Sequence, residues 1–242
     1  MATKNYAVPP HPSAFSGITN LKRLYPKTPL KRIKSKLTAL DTYTRHKEAK
    51  PVKHYNPYVV RVALQLLQLD LLDVRQLSED NDGIKYILMI IDTFSRRAWA
   101  IPLPNKQTAT VSTAFGNFLD DELTSAQRDR VERVLSDRGR EFTGKKFQTL
   151  LREENIIPSH PNDHAPHIER FNRSIQRILY SYLTEKNTHR YIDRLDDIMA
   201  TYNNRPHSAH GFTPQRALTR ANARRVNYVL EAKLEKRLRP DK

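Results

Sequence analysis

Apolar residues recur at helical intervals from Ile18 to Leu40 among lysines, interrupted by Pro26 and Pro29. This predicts a small basic helical module behind a leader that Pro9, Pro10 and Pro12 keep irregular. Residues 41–60 mix basic and aromatic groups without a period and read as a linker. The pattern then changes. Leu66 to Val74, Tyr86 to Ile91 and Ala98 to Leu103 are short apolar runs bounded by polar clusters, which predicts three consecutive strands with a turn at Glu79-Asp80-Asn81-Asp82-Gly83. Thr108 to Glu122 has helical spacing, Val131 to Leu135 reads as a short strand and Lys146 to Glu154 is amphipathic. Ile156-Ile157-Pro158 suggests another brief strand, and Ala165 to Leu183 and Arg190 to Tyr202 suggest helices. Three strands followed by alternating helices and strands predict an α/β (α+β) sheet covered by helices, with Phe94 and Trp99 in its core.

Charge divides the 242-residue chain in the same places. Residues 1–60 hold 12 Lys/Arg against 2 Asp/Glu, residues 61–202 hold 20 against 21, and residues 203–242 hold 10 against 3. A neutral centre between two basic arms suits a polyanion partner, because Lys and Arg displace the counterions condensed on phosphates. The expected organisation is a leader (1–13), a basic helical arm and linker (14–60), a core (61–220) and a basic helical tail (221–242). The absence of cysteine excludes disulfides, thiol catalysis and Cys-containing zinc sites, so no zinc is expected. There is no apolar signal-peptide core and no run of about 18 apolar residues, so an intracellular protein with no membrane partner is expected.

Three acids stand out by position. Asp70 lies inside an apolar strand run, Asp137 directly follows a short strand, and Glu169 opens a turn of the long helix. A carboxylate within an apolar strand is costly unless something compensates it. A divalent cation is an economical partner, since Mg²⁺ and Mn²⁺ prefer oxygen ligands, and three carboxylates can hold two such ions for in-line displacement at phosphorus. Taken singly, each acid also has a structural explanation: a salt-bridged strand residue, or a turn at Asp137-Arg138-Gly139. Asp73 rivals Asp70 in the same strand, although period-two alternation puts it on the opposite face.

The flanks of these acids carry a resemblance. Leu69-Asp70-Leu71, Ile91-Asp92-Thr93-Phe94-Ser95-Arg96-Arg97-Ala98-Trp99, Leu135-Ser136-Asp137-Arg138-Gly139-Arg140-Glu141-Phe142 and Ile168-Glu169-Arg170-Phe171-Asn172-Arg173 resemble successive blocks of the retroviral integrase core. So does Tyr202-Asn203-Asn204-Arg205-Pro206-His207-Ser208 with Gly211-Phe212-Thr213-Pro214. Within that superfamily the chain looks most like integrases of Polinton (Maverick) elements and virophages, through Asp70-Leu71-Leu72-Asp73-Val74, Asn81-Asp82-Gly83-Ile84-Lys85-Tyr86 and Asn105-Lys106. The resemblance implies a ribonuclease-H-like fold with a mixed five-stranded sheet. It implies Asp70, Asp137 and Glu169 as catalytic, metal-binding residues using two Mg²⁺ or Mn²⁺ ions. It further implies processing of DNA 3′ ends and their joining to target DNA, by a dimer or tetramer assembled on double-stranded DNA; in a eukaryotic host the site of action would be the nucleus.

Arg170 and Arg173 bracket Asn172 on the helix bearing Glu169, and all three are candidate DNA contacts, as are Lys145, Lys146 and His164. The chain departs from the family pattern at some of these places. Only 31 residues separate Asp137 from Glu169, which predicts a shortened loop around Pro158 to Pro166. His164 stands where relatives carry a lysine, which would weaken a phosphate contact or make it pH-dependent. A metal site built from His160, His164 and His167 fits no strict helical pair and is not expected. With the tail ending at Lys242, the chromatin-reading domain of some relatives is not expected. Two other readings remain open: a ribonuclease-H-like nuclease that cuts without joining, and a domesticated DNA-binding protein without catalysis.

Overall fold

A computed structural model describes residues 7–45, 59–160 and 166–238. Its centre is a mixed five-stranded sheet in the order β3-β2-β1-β4-β5. β1 (Leu66–Asp73), β2 (Tyr86–Asp92) and β3 (Ala98–Leu103) form an antiparallel meander, while β4 (Arg133–Leu135) and β5 (Ile157–Ser159) run parallel to β1. The meander is closed by short turns. Asp82 and Gly83 both take positive φ in the first, at 55° and 75°, where an Asp-Gly pair is easily accommodated.

Alternation along β1 sorts its side chains to the two faces of the sheet. Leu67, Leu69 and partly buried Leu71 join a cluster with Phe115, Phe118, Phe142 and Phe147. That face is covered by α4 (Thr108–Asp121), α6 (Arg140–Thr143) and α7 (Lys145–Glu153), while the short α5 (Ser125–Arg128) follows α4 at the surface. Leu72 faces the other cluster, with Ile168, Phe171, Ile175, Ile178 and Leu179 of α8 (Pro166–Lys186) and Ile198, Met199 and Tyr202 of α9 (Leu195–Asn203). The apolar positions of α8 follow the i, i+3, i+4, i+7 rule of a half-buried helix. Trp99 and Phe94 are buried as expected, with Trp99 edge-on to Phe118 and its indole N–H donated to Glu122.

The arm is part of this second cluster. α1 (Ile18–Leu24) and α2 (Leu30–Thr38) flank the break at Pro26 and Pro29, and Phe15, Leu21, Ile33 and Leu37 pack into the core with α8 and α9. Two expectations need correction. Residues Asp41–Arg45 form a short helix, α3, closed by an Asp41–Arg45 ion pair, where a linker was expected. The helix expected from Arg190 starts only at Leu195, after a 3-10 turn at Ile192–Arg194. Asn81 explains the delay: its buried carbonyl accepts from the N–H groups of Tyr191 and Ile192, and Arg190 is drawn to Asp82 and Asp193. The remainder of the expected linker, 46–58, lies outside the described residues.

α10 (Pro214–Ala217) begins with Thr213 accepting from the Arg216 N–H and with Pro214 in the first turn, a position that needs no donor. α11 (Arg220–Leu238) is the expected tail helix, seated by Val226 on Ala63, Phe94 and Ala217. His210 closes this corner. Its Nε2–H donates to the Ser95 carbonyl and its Nδ1 accepts from the Phe212 N–H, so the neutral ring satisfies both neighbours. Burial, helped by Arg96 and Lys233, pushes its pKa down to about 4 against the pull of the Ser95 bond. A His held neutral in the fold contributes stability that is full above its unfolded pKa of about 6.5 and is lost as pH falls through 4, here about 3 kcal/mol. Urea titrations at pH 7 and at pH 4 are expected to show a loss to which neighbouring His207, whose pKa burial also lowers, contributes with the same sign, and His210→Gln is expected to reduce it by about 3 kcal/mol. An identical loss in the variant would exclude His210 as its source.

Candidate active site

The sheet brings two of the three acids together by register alone. β1 and β4 are parallel with Gln68 opposite Leu135, and continuing that ladder by two residues sets Asp70 beside Asp137. Asp137 follows β4, is exposed, and its Oδ1 accepts from the Gly139 N–H at 2.9 Å. A Cβ at Gly139 would stand 2.7 Å from the Glu141 carboxyl carbon and 3.0 Å from the Asp137 Oδ1, so a side chain there would displace these two flexible carboxylates. Glu169 comes from the first turn of α8, and Asn172, three residues on, donates from Nδ2 to the Asp70 Oδ2 at 2.7 Å. Positions three apart on a helix share a face, so Glu169 and Asn172 both turn toward β1.

The electrostatics report the same convergence. The Asp70 carboxyl is pushed up to about 6, chiefly by burial, and Asp137 and Glu169 add to the rise; hydrogen bonds from the Leu71 N–H and from Asn172 oppose it. The described residues nevertheless hold no group of three metal-ligating side chains already gathered around one point. Asp137 and Glu169 are near enough to disfavour charge on Asp70, and ligation of a cation would require side chains to turn inward, Asp137 from an exposed position. That excess negative charge is what a divalent cation would relieve. Asp73, the rival, is exposed on the opposite face and paired with Arg75, which holds its carboxyl below the usual range.

Two supporting residues were not legible as such in the sequence. Gln68, fully buried two positions before Asp70, accepts the Ile168 N–H through Oε1, which satisfies one of the orphan donors at the start of α8 and ties the acid-bearing helix to the acid-bearing strand. The only sequence signal was a lone glutamine in an apolar strand run. His160 directs Nδ1 at the carbonyls of Ser136 and Asp137, at 3.2 and 3.1 Å, and so fixes the backbone beneath Asp137.

The expected DNA contacts fall into three groups. Arg170 and Arg173 are exposed beside Glu169, whereas Asn172 is buried and committed to Asp70. Lys145 and Lys146 are exposed at the start of α7, against α4, where the Ser112 hydroxyl donates to the Lys146 carbonyl. His164 lies outside the described residues. No described helix is long and apolar enough to cross a membrane.

Comparison with known proteins agrees with the geometry. Residues 61–166 match the family model of the integrase core domain. An uncharacterized transposon-derived protein of Caenorhabditis elegans is 28% identical over 138 residues, 56% of this chain; the match spans 46%, less than half, of that relative's length. The catalytic core domain of HTLV-2 integrase, solved with magnesium in a trimeric form, superposes with a TM-score of 0.52 at 17% identity, covering 65% of this chain and 98% of that one. The simian T-cell lymphotropic virus intasome, solved with a PP2A regulatory subunit, gives a TM-score of 0.57 at 13% identity, covering 84% of this chain and 70% of that one. At such identities these structures speak for the fold, which is the one derived above. Residues 61–166 are thus similar to an integrase core domain, and the chain has the ribonuclease-H-like fold of these solved structures.

Proposed function

We propose that this protein is a DNA integrase that processes the 3′ ends of a mobile element and joins them to target DNA. The observation that carries the reading is the convergence of Asp137, Glu169 and Asn172 on partly buried Asp70. Asp70, Asp137 and Glu169 are the residues that would hold two Mg²⁺ or Mn²⁺ ions; when bound, such ions activate an attacking oxygen and stabilise a leaving one at phosphorus. The remaining work belongs to the chain. Asn172 orients one oxygen of Asp70, Gln68 sets the distance between strand and helix, and His160 steadies the Asp137 turn. Exposed Arg170 and Arg173 are placed to neutralise phosphates beside Glu169 and so to align the scissile strand. Joining two element ends to one target needs at least two active sites at a fixed separation, which implies a dimer or tetramer assembled on double-stranded DNA, in the nucleus of a eukaryotic host.

The test is strand transfer with a labelled duplex carrying a recessed 3′ end, a supercoiled plasmid target, and Mg²⁺ or Mn²⁺. The expected product is labelled plasmid, dependent on the cation and absent with Asp137→Asn. Fragments without joined product would make the protein a nuclease. DNA binding with no covalent product, unchanged by Asp137→Asn, would make it a binding protein derived from a mobile element.

A further inference from the structure

The structure gives the N-terminal arm a surface that the catalytic core does not use. Residues 1–40 contain eight Lys/Arg and no Asp or Glu. α2 spends its apolar side on the core, through Ile33 and Leu37, and leaves Lys31, Arg32, Lys34 and Lys36 exposed around the remaining arc, with exposed Lys27 just before it. Among the described residues none of these five is in an ion pair. Like charges so close on a short helix oppose its folding, and core packing alone offsets that cost.

The arm is also fixed relative to the acids. Near the acid-bearing end of α8, Arg205 donates to the Pro12 carbonyl and Arg23 to the Pro206 carbonyl, just after α9, whose Tyr202 packs on Phe171 at 4.9 Å between ring centroids. Toward the other end, the Thr42 hydroxyl donates to Glu185. Glu185 follows Glu169 by 16 residues on one helix, a distance of about 24 Å, or roughly seven base pairs of duplex. The arm thus runs alongside α8 over about two-thirds of a DNA turn.

We infer that the exposed arc of α2, Lys31, Arg32, Lys34 and Lys36 with Lys27, is a second DNA-docking surface that grips the phosphate backbone of duplex flanking the active site. The inference rests on DNA being the substrate, as proposed above. Two other partners fit the surface less well. An anionic membrane would be met by a helix with an outward apolar face, and here that face is inside the protein. A protein partner would be met by aromatic anchors, and the exposed side of α2 carries solvated cations and short hydroxyls with Leu30 as its one exposed large apolar side chain.

Anisotropy of a fluorescein-labelled blunt duplex, measured without divalent cation over about 50–200 mM NaCl, tests this apart from catalysis. The full chain is compared with the variant combining Lys31→Gln, Arg32→Gln, Lys34→Gln and Lys36→Gln, and with Asp137→Asn. The arm variant is expected to bind on the order of 10-fold or more weakly, with a salt slope shallower by about 2 to 4, near 0.9 for each phosphate that is no longer neutralised. Asp137→Asn, which removes a negative charge beside the substrate, is expected to bind no more weakly than the parent. Because the substituted side chains face solvent and their mutual repulsion is removed, the thermal midpoint should not fall. Unchanged affinity and slope in the arm variant would overturn the inference, whatever the strand-transfer assay shows. So would unchanged DNA affinity accompanied by lost binding to phosphatidylserine vesicles, which would assign the arc to membranes.

Discussion

Asp70→Asn is expected to abolish strand transfer and, in metal-free buffer at pH 8, to make the protein more stable. The reasoning starts from burial. In the fold the Asp70 carboxyl holds its proton up to about 6, because burial, Asp137 and Glu169 all disfavour its charge. In the unfolded chain it loses that proton near pH 3.8 to 4. A folded-state pKa raised in this way means that the acid supports the fold below pH 4 and that this support disappears as pH rises through 6. At pH 8 the ionised group therefore costs the fold about 2–3 kcal/mol relative to a neutral side chain. Asparagine removes that cost and can keep both local bonds: its carbonyl accepts from the Leu71 N–H, and its amide meets the Asn172 Oδ1, which is buried and unpartnered, once the Asn172 amide turns over. The expected gain in melting temperature is roughly 4–10 °C at pH 8, falling toward zero at pH 4. Joining should drop by on the order of 10³-fold. Mg²⁺ or Mn²⁺ should raise the melting temperature of the parent protein and leave the variant unmoved, since only a ligand of the folded state shifts the equilibrium. A variant no more stable than the parent at pH 8 would show that Asp70 is not held at a cost, and the case for a cation site would lose its main support.

The second large effect lies at a different buried acid, with the opposite sign. Asp92 is fully buried at the end of β2 and accepts from the Leu64 N–H at 2.9 Å, the Phe94 N–H at 3.2 Å, and the Ser95 N–H and hydroxyl at 2.9 and 2.5 Å. Burial still raises its pKa, yet four donors aimed at one carboxyl leave nothing else able to satisfy them. Asp92→Ala strands those donors out of reach of water, at about 1–3 kcal/mol each, so a loss of about 4 kcal/mol or more is expected out of a total stability of about 5–15. Asp92→Asn keeps one acceptor oxygen and should cost about half as much. The damage would spread along an identifiable route, because the Ser95 hydroxyl accepts from the Arg97 N–H and its carbonyl accepts from His210, beside the cluster that seats α11. Urea denaturation separates the cases; equal midpoints for alanine and asparagine would mean that the donors find other partners.

The contrast between these acids marks how far the site was legible. Both sit on apolar strands, but the sequence singles out only Asp70 as a carboxyl in need of a partner. Only the fold tells which partner: backbone donors of its own hairpin for Asp92, two other acids for Asp70. Asp73 was separable from Asp70 by alternation alone, because a period of two is intrinsic to an extended strand.

What the sequence by itself determined is whatever depends on near neighbours: the meander of three strands, the breaks at Pro26 and Pro29, the acidic motifs, and the neutral core between basic arms. Periodicity and turn chemistry act over a few residues, so they can be read without coordinates. What only the tertiary structure decided involves contacts between distant segments. Gln68 receives the N–H of a helix that begins almost a hundred residues later, and Asn81 holds back a helix start more than a hundred residues away. The arm shares the core of α8 and α9. None of these pairings has a local signature, because a buried polar group takes its partner from whichever element folding brings within about 3 Å.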